Sequence, residues 1–214
     1  MRESSEDNPW RSIPPDDYEA HMGDSGAKQL SFLSSEFKQL LDSHQPETVA
    51  ILGCATGNGL EHVGNSTCRQ VIGIDIHPEY IEITRQRYSD QIANLQLFCS
   101  DIKNIELAPR SVDLVWCGLF FEHVDPKLSI GKIRHWLKRG GVLATVLQLP
   151  GELQTTVTST GIESLKLLEP TTRLIEPDQL NALVKSAGFN PLEDREETLV
   201  TGKRFRALSF QLKP

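Results

Sequence analysis

Two hydrophobic rhythms alternate along the chain. Leu30, Leu33, Phe37, Leu40 and Leu41 recur at three- and four-residue intervals, the spacing that lines one face of a helix. The period then changes: residues 48 to 52 read T-V-A-I-L, a short unbroken apolar run stopped by Gly53, as expected of a strand buried on both faces of a parallel sheet. The same rhythm returns at 71–75, 95–99, 112–117 and 142–149, with helical stretches between most of them. Pro78 and Pro126 fall at first-turn positions, Pro126 behind a capping Asp125. Ile130, Ile133 and Leu137 form the buried stripe of that helix, and Gly140 and Gly141 are expected to end it. This β-α-β alternation predicts an α/β fold with a doubly wound sheet.

The two ends read differently. Pro9, Pro14 and Pro15 argue against regular helix before Gly23, with Ser25 as the cap of the first helix. Near the other end, 177–187 reads as a helix with Leu180, Leu183 and Val184 inward and Gly188 as its stop. Two strands around T-G-K follow, so an antiparallel hairpin completes a seven-stranded sheet. The expected organisation is a leader or lid over 1–25 and one domain over 26–214. Within that domain 150–176, rich in Thr and Ser and without period, forms a variable loop or cap on the substrate side.

Composition narrows the function classes. A chain of 214 residues, 38% hydrophobic and 24% charged, suits one globular domain. The net charge of −7 with scattered Lys and Arg opposes nucleic-acid binding and favours a small-molecule or protein partner. No window approaches the roughly 18 apolar residues of a membrane span, and the first residues lack a signal-peptide core, so a cytoplasmic protein without a membrane partner is expected. Cys54, Cys68, Cys99 and Cys117 stand singly, which predicts reduced thiols and no metal site. Oligomeric state is not legible.

The chemistry gathers at the carboxyl ends of the predicted strands, where open α/β sheets bind ligands. After the first strand the chain reads G-C-A-T-G-N-G, with Gly53, Gly57 and Gly59 free to turn sharply and approach a ligand. This is not the dinucleotide spacing G-x-G-x-x-G. Asp75, ending the second strand, is placed to take ribose hydroxyls, against the alternative of a plain helix cap. Asp101, just after the third strand, is placed to accept from a base.

Together with S-D-I at 100–102, the run V-D-L-V-W-C-G-L-F-F-E-H-V-D and the closing hairpin, these residues resemble the class I S-adenosylmethionine-dependent methyltransferases. The resemblance spans 45–214, and the opening P-W-x-x-I-P-x-x-D-Y-E-x-H-M is similar to the leader of some uncharacterised bacterial members. It implies S-adenosylmethionine as cofactor, held by Gly53, Cys54, Ala55, Gly57, Gly59, Asp75, Ile76, Asp101 and Ile102. The segment from Cys117 to His123 would face the methyl group. Tyr18 and His21 would fold over the cofactor, and His123 or Glu122 would serve as a base where the acceptor must lose a proton. Two positions depart from the family pattern: Ile51 stands where an acid is common, and Ala55 where a glycine is. The absence of D-P-P-Y or N-P-P-F after the fourth strand argues for a small-molecule acceptor. A non-catalytic cofactor binder and a nucleotide-binding oxidoreductase remain the alternatives.

Overall fold

The structure is a computed structural model and describes residues 8–23, 28–151 and 160–214. Its centre is a seven-stranded sheet of order β3-β2-β1-β4-β5-β7-β6. The strands are β1 (Thr48–Leu52), β2 (Gln70–Asp75), β3 (Leu95–Cys99), β4 (Val112–Gly118), β5 (Leu137–Gln148), β6 (Phe189–Thr198) and β7 (Arg204–Leu212). The first five pair in parallel, while β7 runs antiparallel to both β5 and β6. The expected doubly wound sheet with a closing hairpin is therefore what forms.

Successive residues of the central strands feed two cores. Val49, Ile51, Leu114 and Trp116 pack with α2 (Gln29–His44) and α3 (Pro78–Tyr88), whereas Ala50, Leu52, Val115 and Cys117 pack with α4 (Pro126–Trp136) and α5 (Pro177–Ser186). Both faces of these strands are covered, which explains why their sequences are continuously apolar. Among the described residues no helix is long and apolar enough to cross a membrane.

Two local expectations fail for identifiable reasons, and a third falls outside the described residues. Residues Pro15–Met22 form a regular helix, α1, despite the prolines, because Pro15 occupies its first turn, where a missing N–H costs no intrahelical hydrogen bond. Gly140 and Gly141 do not end α4; that helix stops at Trp136, and Leu137 already pairs with Val112 in β5. Gly140, at φ 75°, instead sits in the irregular first half of that strand. There a Cβ on Gly141 would meet the Lys138 carbonyl oxygen at 2.9 Å. The helix α2 begins behind Lys28, which has φ 55°; the expected cap Ser25 lies outside the described residues.

Candidate active site

Strand order reverses between β1 and β4, and a cleft opens at their carboxyl ends. It encloses a cavity of about 250 Å³. The floor is the loop leaving β1. Gly53, at φ 68°, and Cys54 both donate their N–H to the Ile74 carbonyl, at 2.8 and 3.2 Å. Ala55 follows in the left-handed region at φ 46° and donates its N–H to Asp75 Oδ2 at 2.9 Å. His77 N–H reaches Asp75 Oδ1 at 2.9 Å. Burial raises the Asp75 pKa, opposed by these backbone hydrogen bonds. Each carboxylate oxygen keeps a lone pair beyond the one already engaged, and Asp75 lines the cavity beside Ile76, Asp101 and Ile102.

The expected glycine roles divide. Gly53 borders the cavity, where an added Cβ would meet Phe120 at 3.2 Å. Gly57 and Gly59 do not border it. A Cβ on Gly57 would lie 2.6 Å from a Tyr88 ring carbon, and one on Gly59 would lie 2.9 Å from a Phe37 ring carbon. Their absent side chains let α3 and α2 close on the loop. Cys54 and Cys117 likewise turn into the two cores instead of the cleft. Ile51, at the position where an acid is common, is sealed in the core on the α2 side.

The roof comes from the N-terminal segment. Tyr18 and His21 of α1 both line the cavity and are buried. Trp10 joins them, its ring 5.0 Å from His123 in an edge-on contact. Tyr80 fastens the segment by donating its hydroxyl to the Ile13 carbonyl at 3.0 Å. Burial, and second the Asp75 charge, push the Tyr18 hydroxyl well above its ordinary pKa.

The loop after β4 brings Gly118, Leu119, Phe120, Glu122 and His123 to the cavity. Burial shifts the last two in opposite senses, lowering His123 to about 4 and raising Glu122 to about 7. Glu122 Oε1 accepts the Gln148 N–H at 2.8 Å, while its buried Oε2 has no hydrogen-bond partner. The carboxyl rather than the imidazole is thus the group tuned to exchange a proton near neutrality. At the far end stand Gln29, Leu33, Leu165, Leu168 and Lys203. None of these was singled out as a site residue, because they come from the start of α2, a 3-10 turn over Glu163–Leu168 and the β6–β7 turn, with no shared local motif.

Comparison with known proteins agrees with this geometry. The methyltransferase-domain family matches residues 51–145, the stretch that runs from the glycine loop through β5. Residues 51–145 are a methyltransferase domain. An uncharacterized methyltransferase-like protein of Schizosaccharomyces pombe is 26% identical over 130 residues, covering 61% of this chain and 48% of the relative. The chain therefore spans about half the length of the curated relatives it matches. The N-methyltransferase NodS of Bradyrhizobium japonicum, solved with S-adenosyl-L-homocysteine, superposes with a TM-score of 0.72 at 14% identity, covering 98% of this chain and 99% of NodS. An S-adenosylmethionine-dependent methyltransferase of Mesorhizobium loti gives 0.69 at 13% identity, over 85% of this chain and 99% of its own. These likenesses establish that the methyltransferase domain lies within a Rossmann-like methyltransferase fold covering nearly the whole chain.

Proposed function

We propose that this chain binds S-adenosylmethionine in the cleft and transfers its methyl group to a small-molecule acceptor. The observation that carries the reading is the buried Asp75 carboxylate on the cleft floor, fixed by Ala55 N–H and His77 N–H with acceptor capacity left over. The cleft's residues suit such a ligand: two acids, Asp75 and Asp101, for ribose and base, Ile76 and Ile102 as apolar neighbours, and Gly53 with no side chain between loop and cavity. When bound, the cofactor supplies a methyl carbon made electrophilic by a sulfonium.

The chain's own contribution is alignment and exclusion of water. Trp10, Tyr18 and His21 cover the cleft, and Phe120 closes it from the β4 side. Glu122 is the group that takes a proton from a hydroxyl or amine acceptor, since burial holds it near pH 7. His123, lowered to about 4, stays neutral and serves as a wall against Trp10. The net charge of −7 and the scattered basic residues support a small acceptor over a nucleic acid. The four free cysteines support a reducing, cytoplasmic setting.

The test is a calorimetric titration with S-adenosylhomocysteine, then a metabolite-extract screen that follows labelled methyl into product. Binding with labelled product is the expected result. Binding without turnover under any acceptor would reduce the chain to a cofactor binder, and no binding would refute the reading.

A further inference from the structure

Lys203 combines partial burial with the lack of a carboxylate partner among the described residues. Lys38, Lys132, Lys138 and Lys166 each reach a carboxylate. Lys203, half-buried in the turn before β7, lines the cavity, and its Nζ donates to the neutral Gln148 Oε1 at 3.1 Å. Among the described residues no carboxylate pairs with it, and burial alone lowers it to about 8. A partly buried ammonium without a counter-charge pays a desolvation cost. It is retained at little cost where a ligand supplies the negative charge.

The surroundings define that ligand further. His21 stands close enough for the Lys203 charge to depress it, after burial, to about 4, so the imidazole is neutral at physiological pH. Its Nδ1 lies 2.9 Å from Thr160 Oγ1. Glu122, the acid of this end, is raised to about 7 and offers at most a partial counter-charge. Gln29, 2% exposed, has an amide Nε2 with no hydrogen-bond partner. Leu33, Leu165, Leu168 and Leu174 contribute apolar side chains to the lining of the same cavity.

We propose that the acceptor is an organic carboxylate: its anionic group pairs with Lys203 Nζ in the cleft, and its apolar body packs on Leu33, Leu165, Leu168 and Leu174. This rests on the methyltransferase reading of the cleft and adds the substrate class. One ammonium among neutral donors balances one negative charge, which favours a monoanionic carboxylate over a phosphate dianion. The leucines exclude water and strengthen that pairing.

The experiment uses the full chain saturated with S-adenosylhomocysteine and titrates phenylacetate, its uncharged isostere 2-phenylacetamide and phenyl phosphate by calorimetry. Phenylacetate should bind about 10-fold tighter than the amide or better, the usual size of a charge-assisted hydrogen bond in a buried site. Lys203→Met should abolish that preference by weakening phenylacetate more than the amide, and Lys203→Arg should restore most of it. Circular dichroism confirms that each variant is folded. Equal affinities in the wild type, no measurable binding of phenylacetate, a loss in Lys203→Met of equal size for phenylacetate and the amide, or tighter binding of phenyl phosphate would each overturn the proposal. Failure of the cofactor reading shows separately, as absence of S-adenosylhomocysteine binding before any acceptor is added.

Discussion

Asp75 Oδ2 accepts the Ala55 N–H at 2.9 Å, so the last residue of β2 holds the loop that leaves β1. Asp75→Ala should therefore lose twice. Two buried N–H groups, of Ala55 and His77, would lack an acceptor at about 1–3 kcal/mol each, lowering the melting temperature by roughly 10 °C. Loss of the ribose acceptor should weaken S-adenosylhomocysteine binding roughly 10- to 150-fold. Thermal melts and calorimetry read the two effects independently, and wild-type affinity in folded Asp75→Ala would sink the assignment.

Gly57 is a packing position. At φ 90°, with Tyr88 at 2.6 Å and Thr84 at 3.2 Å from the missing Cβ, even Gly57→Ala carries backbone strain and a clash. The expected cost is about 1–3 kcal/mol. Because the position does not border the cleft, Gly57→Ala should lower the melting temperature while the folded fraction keeps near-normal affinity for S-adenosylhomocysteine. An unchanged melting temperature would contradict it.

The N-terminal segment should matter before any ligand arrives. Ile13, Tyr18 and Met22 are buried at 0%, 8% and 8% exposure, and Arg87 pairs with Glu19. Burial of three such side chains contributes about 5 kcal/mol, so deleting residues 1–22 should lower the apo melting temperature by roughly 10 °C or more. As a bare leader its removal would leave the apo protein unchanged. A deletion variant that melts like the full chain would return the segment to that status.

Glu122 makes stability depend on pH. Its folded pKa of about 7 lies above the ordinary 4.5, so its contribution is fully present below about pH 4.5 and is lost as pH rises through 7. The loss is on the order of 3 kcal/mol. Glu122→Gln, which keeps an oxygen for the Gln148 N–H and carries no charge, should flatten the wild-type fall in melting temperature between about pH 5 and 8. Parallel curves for variant and wild type would show that Glu122 titrates normally.

Much of the architecture is legible along the chain because its signals are local. A short apolar run marks each central strand, with Gly53 closing the first, and Asp125 caps α4 by accepting the Lys127 N–H at 2.9 Å, as its position ahead of Pro126 predicts. Asp75 at the end of β2 could be placed by counting, since strand length and the switch point fix where that carboxylate emerges. The failures are also local in origin. A proline inside a segment and one at its first turn look alike in composition, and a glycine that ends a helix looks like one that bends a strand.

The sequence alone determined the layer order, the parallel run closed by a hairpin, and the acids at the sheet's edge, because hydrophobic period and strand-end position are properties of neighbours in the chain. Only the tertiary structure decided which glycines face the cleft and which face Tyr88 and Phe37, and that the carboxyl of Glu122, not the imidazole of His123, is tuned to neutral pH. It alone brought Lys203, His21 and Gln29 into the lining of one cavity. Burial, cavity and charge pairing depend on residues from separate elements of the chain, and no local pattern encodes those distances.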